Sequence, residues 1–118
     1  MQKEEPDLKA RTKMYARRII KLFVSLPKGT VVQLLGRQML RSGTSVGANY
    51  REANRGRSKA ESIAKVGDCL REVDETAYWL ELLVDENFVP KAKVADLRDE
   101  TDQLTAIFVT ILKNSKGE

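Results

Sequence analysis

The chain has no histidine, which removes the side chain that most often acts as a general base near neutral pH. It also excludes the Glu-x-x-His pairs from which di-iron helix bundles are built. Cysteine occurs once, as Cys69, so neither an intramolecular disulfide nor a cysteine zinc cluster is available. Aromatic residues make up only 6% of the chain, which leaves few rings on which nucleobases could stack. No apolar run approaches the roughly 20 residues that cross a bilayer. Met1-Gln2-Lys3-Glu4-Glu5-Pro6 lacks the basic-then-apolar order of a signal peptide. These absences point to a reducing, cytoplasmic setting without a membrane, and to a protein with no metal, no cofactor and no catalytic role. Strand signals are scarce as well, with no sustained alternation and no Asn-Gly or Asp-Gly hairpin turn.

What remains reads as helix. A chain of 118 residues fits one domain, 1–118. Pro6-Asp7 opens a first helix and Pro27 closes it. Thr30-Val31-Val32-Gln33 reads as a capping box with Thr30 at the N-cap, and Gly56 suits a left-handed C-terminal cap for this second helix. Ser58-Lys59-Ala60-Glu61 is another capping box; Asn87 ends the third helix, and Pro90 fits the first turn of a fourth. The expected spans are about 7–26, 30–55, 58–86 and 91–114. Each carries an apolar stripe at alternating three-and-four spacing. The first is Leu8, Tyr15, Ile19, Leu22, Leu26; the second is Val32, Leu35, Met39, Ser42, Val46, Asn49, Ala53. The third is Ile63, Val66, Leu70, Val73, Ala77, Leu80, Val84; the fourth is Val94, Leu97, Thr101, Leu104, Phe108, Ile111. Short connections and such seams predict an all-α, antiparallel, up-down-up-down four-helix bundle with left-handed, coiled-coil-like packing.

Apolar residues beside the seams exceed what one bundle needs. Phe23, Tyr78, Trp79 and Leu83 stand out among them. They either thicken the core or form an oligomer interface, and aromatics favour the interface. Charge is uneven: residues 1–59 hold fourteen Lys/Arg against four Asp/Glu, whereas residues 60–118 hold seven against thirteen. Lys9, Lys13, Arg17 and Lys21 repeat every four residues along the first helix. Arg37, Arg41, Arg51 and Arg55 lie opposite the second seam, and Arg57 and Lys59 follow in the connection. Like charges four apart repel by a few tenths of a kcal/mol, so helix stability does not select this pattern. Either the cations pair with acidic helices of the same or a neighbouring subunit, or they bind the phosphates of RNA or DNA.

In the second helix Ser42, Ser45, Asn49 and Glu52 share one edge. Gly43 and Gly47 each cost roughly 1 kcal/mol relative to Ala, a cost that a tight helix crossing explains. Gly43-x-x-x-Gly47 is no phosphate loop, because it lacks the Gly-Lys-Ser/Thr ending and a preceding strand. Ser42 and Asn49 occupy seam positions, where an unpaired polar group costs about 1–3 kcal/mol. Candidate partners are each other, Glu52, Glu72, Glu75 or water. The edge serves either as a register lock or as a ligand-reading site.

The run from Leu40 to Ala53 resembles the signature of the bacterial four-helix-bundle proteins encoded in 23S ribosomal RNA intervening sequences. Their Ser-x-x-x-Asn-x-x-Glu pattern is matched by Ser45, Asn49 and Glu52, and Leu70–Leu80 resembles their third-helix segment, with Glu72 at its acidic position. Many members read Asn-Ile-Ala-Glu-Gly where this chain has Asn49-Tyr50-Arg51-Glu52-Ala53. The resemblance implies a homo-oligomer, a pentameric ring. It also implies similarity to the accessory proteins of diversity-generating retroelements, which bind nucleic acid and a reverse transcriptase. The expected function is thus nucleic-acid binding by a non-catalytic oligomer. The alternative is a protein-interaction scaffold or adaptor, for example for a reverse transcriptase.

Overall fold

The computed structural model describes residues 7–116, so Pro6 and both ends of the 1–118 span lie outside the described residues. The Asp7 carboxylate accepts the Ala10 amide at 3.2 Å and starts α1 (Leu8–Val24), satisfying one of the free N–H groups of the first turn. Three more helices follow: α2 (Thr30–Asn54), α3 (Lys59–Asp85) and α4 (Ala95–Lys116), the last entered through a 3-10 turn at Lys91–Val94. Among the described residues there is no strand. The protein is an all-α four-helix bundle.

Three helix ends differ from the sequence expectation. Thr30 is the first helical residue of α2 rather than its cap. Gly29 holds the cap position at φ 142°, a conformation few side chains tolerate, and no side chain caps this end. Gln33 does reach back, but its Nε2 donates to the Pro27 carbonyl at 3.2 Å. Gly56 does not adopt a left-handed conformation. Its lack of a side chain makes room for Ser62, whose backbone nitrogen would stand 3.0 Å from an added Cβ. Pro90 precedes the 3-10 turn instead of lying within a first α-helical turn.

The other two caps follow the sequence closely. Ser58 Oγ accepts the Glu61 amide at 3.0 Å, while Glu61 Oε1 accepts the Arg57 amide at 2.6 Å. Asn87, at φ 64°, ends α3 with the Phe88 amide donating to the Leu83 carbonyl and the Asn87 amide to that of Val84. That is the left-handed closing motif in which Asn substitutes for Gly.

Neighbours in sequence pack antiparallel. Phe23 and Leu26 lie over Gly36, Ile19 over Gly43 and Thr12 over Gly47, which brings α1 close to α2. The pairs Glu52–Lys65, Val46–Cys69, Ser42–Thr76 and Arg41–Glu75 fix α2 against α3. The particle is 47 Å long and 24 by 21 Å across, close to the roughly 40 Å of a 27-residue helix with its neighbours alongside.

The core is a column of Leu, Ile, Val and Met around Tyr15 and Phe108. It contains the expected stripes of α1 and α4, except that Ile111 is half-buried, and adds Thr12. In α3 the stripe lies to one side of the expected one. Val66, Val73 and Leu80 are buried, but Cys69, Thr76 and Leu83 accompany them, while Ile63, Leu70, Ala77 and Val84 are only half-buried. One polar layer crosses the column. Tyr15 Oη bonds Thr101 Oγ1 at 2.7 Å, and Ser42 Oγ bonds Thr76 Oγ1 at 2.7 Å. Thr76 and Thr101 are further satisfied by the Glu72 and Leu97 carbonyls, each at 2.8 Å. All four helices thus contribute one hydroxyl to a buried, hydrogen-bonded layer.

Candidate nucleic-acid interface

Lys9, Lys13, Arg17 and Lys21 of α1, Arg37, Arg41, Arg51 and Arg55 of α2, and Arg57 and Lys59 beyond it are all exposed. They do not form one uniform set. Lys9, Lys13 and Arg51 line a single groove of about 280 Å³ between α1 and α2, over a floor that includes Ala16, Gly47 and Ala48. The groove exists because Gly47 lets α2 approach Thr12 of α1; an added Cβ would stand 3.2 Å from Thr12 Oγ1. Lys21 faces another groove, shared with Arg18, Lys93 and Asp96.

Arg41 and Arg57, among the expected phosphate ligands, are already engaged. Arg41 bridges Glu72, at 3.4 Å, and Glu75, and Glu75 also accepts the indole N–H of Trp79 at 3.1 Å. Arg57 stands 3.9 Å from Glu61. Sequence reasoning also passed over Arg11, whose guanidinium grips both oxygens of Glu100 at 2.7 and 2.9 Å and adds Gln103 at 2.7 Å. That hydrogen-bonded carboxylate raises the Arg11 pKa above its ordinary value. The available signal was positional: Arg11 and Glu100 each flank a seam, one beside Thr12 and the other beside Thr101.

The polar edge of α2 divides into separate contacts. Ser42 is fully buried and bonded to Thr76, a partner that the sequence did not single out. Ser45 Oγ donates to the Arg41 carbonyl at 2.7 Å, and Asn49 Nδ2 donates to the Ser45 carbonyl at 3.1 Å. Asn49 is half-buried, so it borders the seam instead of filling it. Glu52 accepts Lys65 of α3 at 2.6 Å, and the bond and charge of Glu52 raise the Lys65 pKa. Glu72, the other acidic position singled out, is nearly buried under Arg41. These residues tie α2 to α3 or to the α2 backbone.

Of the expected interface residues, only Tyr78 is well exposed, at 54%; its ring stands edge-on to Trp79 at 5.2 Å. Phe23 and Trp79 are partly buried against the core. Leu83 is fully buried within its own chain, which removes it from any exposed interface. It follows Thr76 and Leu80 down the buried side of α3, so the one-position offset of the seam explains the difference. Met14, Ile20, Val24, Val31, Leu34 and Val109 are exposed apolar residues outside the expected interface set.

Among the described residues no group of three or more His, Cys, Asp or Glu side chains could hold a metal ion. Burial pushes the Cys69 thiol up to about 12, so it is protonated and unreactive at neutral pH. No helix of the described residues is long and apolar enough to cross a membrane.

Comparison with known proteins agrees with the architecture. The family described as 23S rRNA-intervening sequence protein matches residues 4–110. The chain is similar to a crystal structure from Bacteroides thetaiotaomicron, described as a protein with unknown function from the S23 ribosomal protein family. The two are 34% identical with a TM-score of 0.81, over 89% of this chain and 97% of that one. No curated protein matches.

Proposed function

We propose, because the chain belongs to the 23S rRNA-intervening sequence protein family, that it is a non-catalytic, oligomeric bundle that binds RNA or another nucleic acid through the cations of α1 and α2. One observation supports this above the others. Lys9, Lys13, Arg17, Lys21, Arg37, Arg51 and Arg55 are exposed and have no acidic partner among the described residues. Had this charge served only to pair with the acidic helices of the same chain, these side chains would be bridged as Arg41 is. Unpaired, solvated cations on neighbouring helices suit a polyanion, whose released counterions supply the binding free energy. The scarcity of aromatic rings favours contacts to backbone and shape over contacts to bases.

The test is binding of a structured RNA by the full-length protein across a salt series, together with the absorbance ratio of the purified protein before and after nuclease. Affinity is expected to fall steeply as salt rises. Arg37→Glu with Arg55→Glu is expected to weaken binding while the helical circular dichroism is kept. Reversing Arg41 would not serve, because it would leave Glu72 and Glu75 facing a third carboxylate. Salt-insensitive capture of a protein, with no RNA retained on purification, would establish a scaffold or adaptor instead.

A further inference from the structure

We infer that the α1–α2 groove bounded by Lys9, Lys13 and Arg51 is a seat for two successive phosphates of a single nucleic-acid strand. This deepens the proposed function and rests on it. The remaining cations of that face then act mainly through long-range attraction.

The groove is distinguished by what its wall contains. Three other surface grooves each include at least one carboxylate: Asp85, Asp99 and others in one, Asp96 in the second, Glu81 and Asp102 in the third. The α1–α2 groove has three cations and none. An anion entering it meets three cations, whereas in those three grooves it also meets fixed negative charge within the same wall. The floor is also short. Ala16, Gly47 and Ala48 project nothing longer than a methyl group, so a phosphate can settle between the cations without displacing a side chain.

Spacing argues for a strand and against an isolated ion. Lys9 and Lys13 are one helical turn apart, about 6 Å along α1, which is close to the separation of neighbouring phosphates in an extended strand. The antiparallel contact of Thr12 with Gly47 places Arg51 across from Lys9. Lys9 and Arg51 therefore clamp one phosphate from two sides, with the planar guanidinium offering paired donors, and Lys13 takes the next. No ring lines the groove, so the seat reads phosphate and leaves the bases outside.

Full-length protein binding a fluorescent oligouridylate, followed by polarisation over a salt series, tests this. Lys9→Gln with Lys13→Gln and Arg51→Gln should cut low-salt affinity by at least about tenfold and reduce the slope of log affinity against log salt by roughly 1.4, the value for two single-strand phosphates. Arg37→Gln with Arg55→Gln and Arg57→Gln removes the same charge outside the groove and should cost less. Ala48→Gln adds no charge but fills the floor at an exposed helical position, and should weaken binding severalfold. The seat is overturned if the two triple variants lose affinity equally, or if Ala48→Gln binds as the unaltered protein does. Absence of binding by the unaltered protein would instead remove the proposed function itself.

Discussion

At Gly43 the α2 backbone lies so near α1 that an added Cβ would stand 2.8 and 2.9 Å from two carbons of Ile19, which is itself completely buried. Ile19 has nowhere to yield, so Gly43→Ala should destabilise the fold by about 1–3 kcal/mol even though Ala is the better helix former. Gly67, in the interior of α3, has nothing within 4 Å of such a Cβ, and Gly67→Ala should stabilise by about 0.4–1 kcal/mol. Thermal melts of the two variants check the opposite signs. Two further residues set a response to alkali. Burial raises the Tyr15 hydroxyl from its ordinary 10.0 to about 12, and burial likewise raises Cys69 from 9.0 to about 12. The unfolded chain releases these protons first. The stability they contribute is therefore complete below about pH 9 and is lost as pH climbs through the interval to 12. Denaturant melts from pH 8 to 11.5 should show falling midpoints, with a shallower fall in Cys69→Ala. A midpoint that stays flat across that range would contradict the assignment.

Among the elements, α1 and α4 were the most legible in the sequence, because their expected apolar stripes are the ones the core buries, Ile111 excepted. In α3 the positions Val66, Val73 and Leu80 were equally clear, but the companions on either side were not. Leu70, Ala77 and Val84 look more apolar than Cys69 and Thr76, yet the bundle buries the second pair. The reason is a hydrogen bond that spacing does not reveal: Thr76 is satisfied by Ser42 and by the Glu72 carbonyl, so burying its hydroxyl costs little. The same blindness hid Gly29, whose cap position depends on the path of the α1–α2 connection. Pairing across elements also makes a prediction. Ser42→Ala and Thr76→Ala should each cost about 1–3 kcal/mol, and the double variant should cost less than their sum by about 0.5–3 kcal/mol. Chemical denaturation of the four proteins closes the cycle, and strict additivity would mean that the two hydroxyls do not support each other. On the candidate site, the cations themselves were legible by count and period. Which of them a carboxylate already holds was not, because Arg41 meets Glu72 and Glu75 only when α2 and α3 dock.

For the molecule as a whole, exposed apolar surface and exposed positive charge should answer salt differently. Val31 and Leu34 lie in the first turns of α2, and the antiparallel pairing of Arg41 with Glu75 and Ser42 with Thr76 brings that end of α2 toward the end of α3 that carries Tyr78 and Trp79. Leu34 is 56% exposed and Tyr78 54%, more than a solitary bundle of this size needs to leave wet at one end. We expect a second copy to cover this end, giving an assembly whose mass is a multiple of 13.3 kDa, five-fold if the ring implied by the family resemblance forms. An interface of that kind is held by buried apolar area and persists in strong salt, whereas phosphate contacts of α1 and α2 do not. Light scattering coupled to size exclusion should therefore show nucleic acid leaving near 1 M salt while the protein mass stays constant. Leu34→Glu with Tyr78→Glu should do the reverse at low salt, reducing the protein to a single helical 13.3 kDa chain that still carries every cation of α1 and α2. Because seats on several copies act together, that lone chain should hold RNA far more weakly than the assembly does. A single-chain mass for the unaltered protein in both salts would show that the exposed Leu34 and Tyr78 have no partner of their own kind.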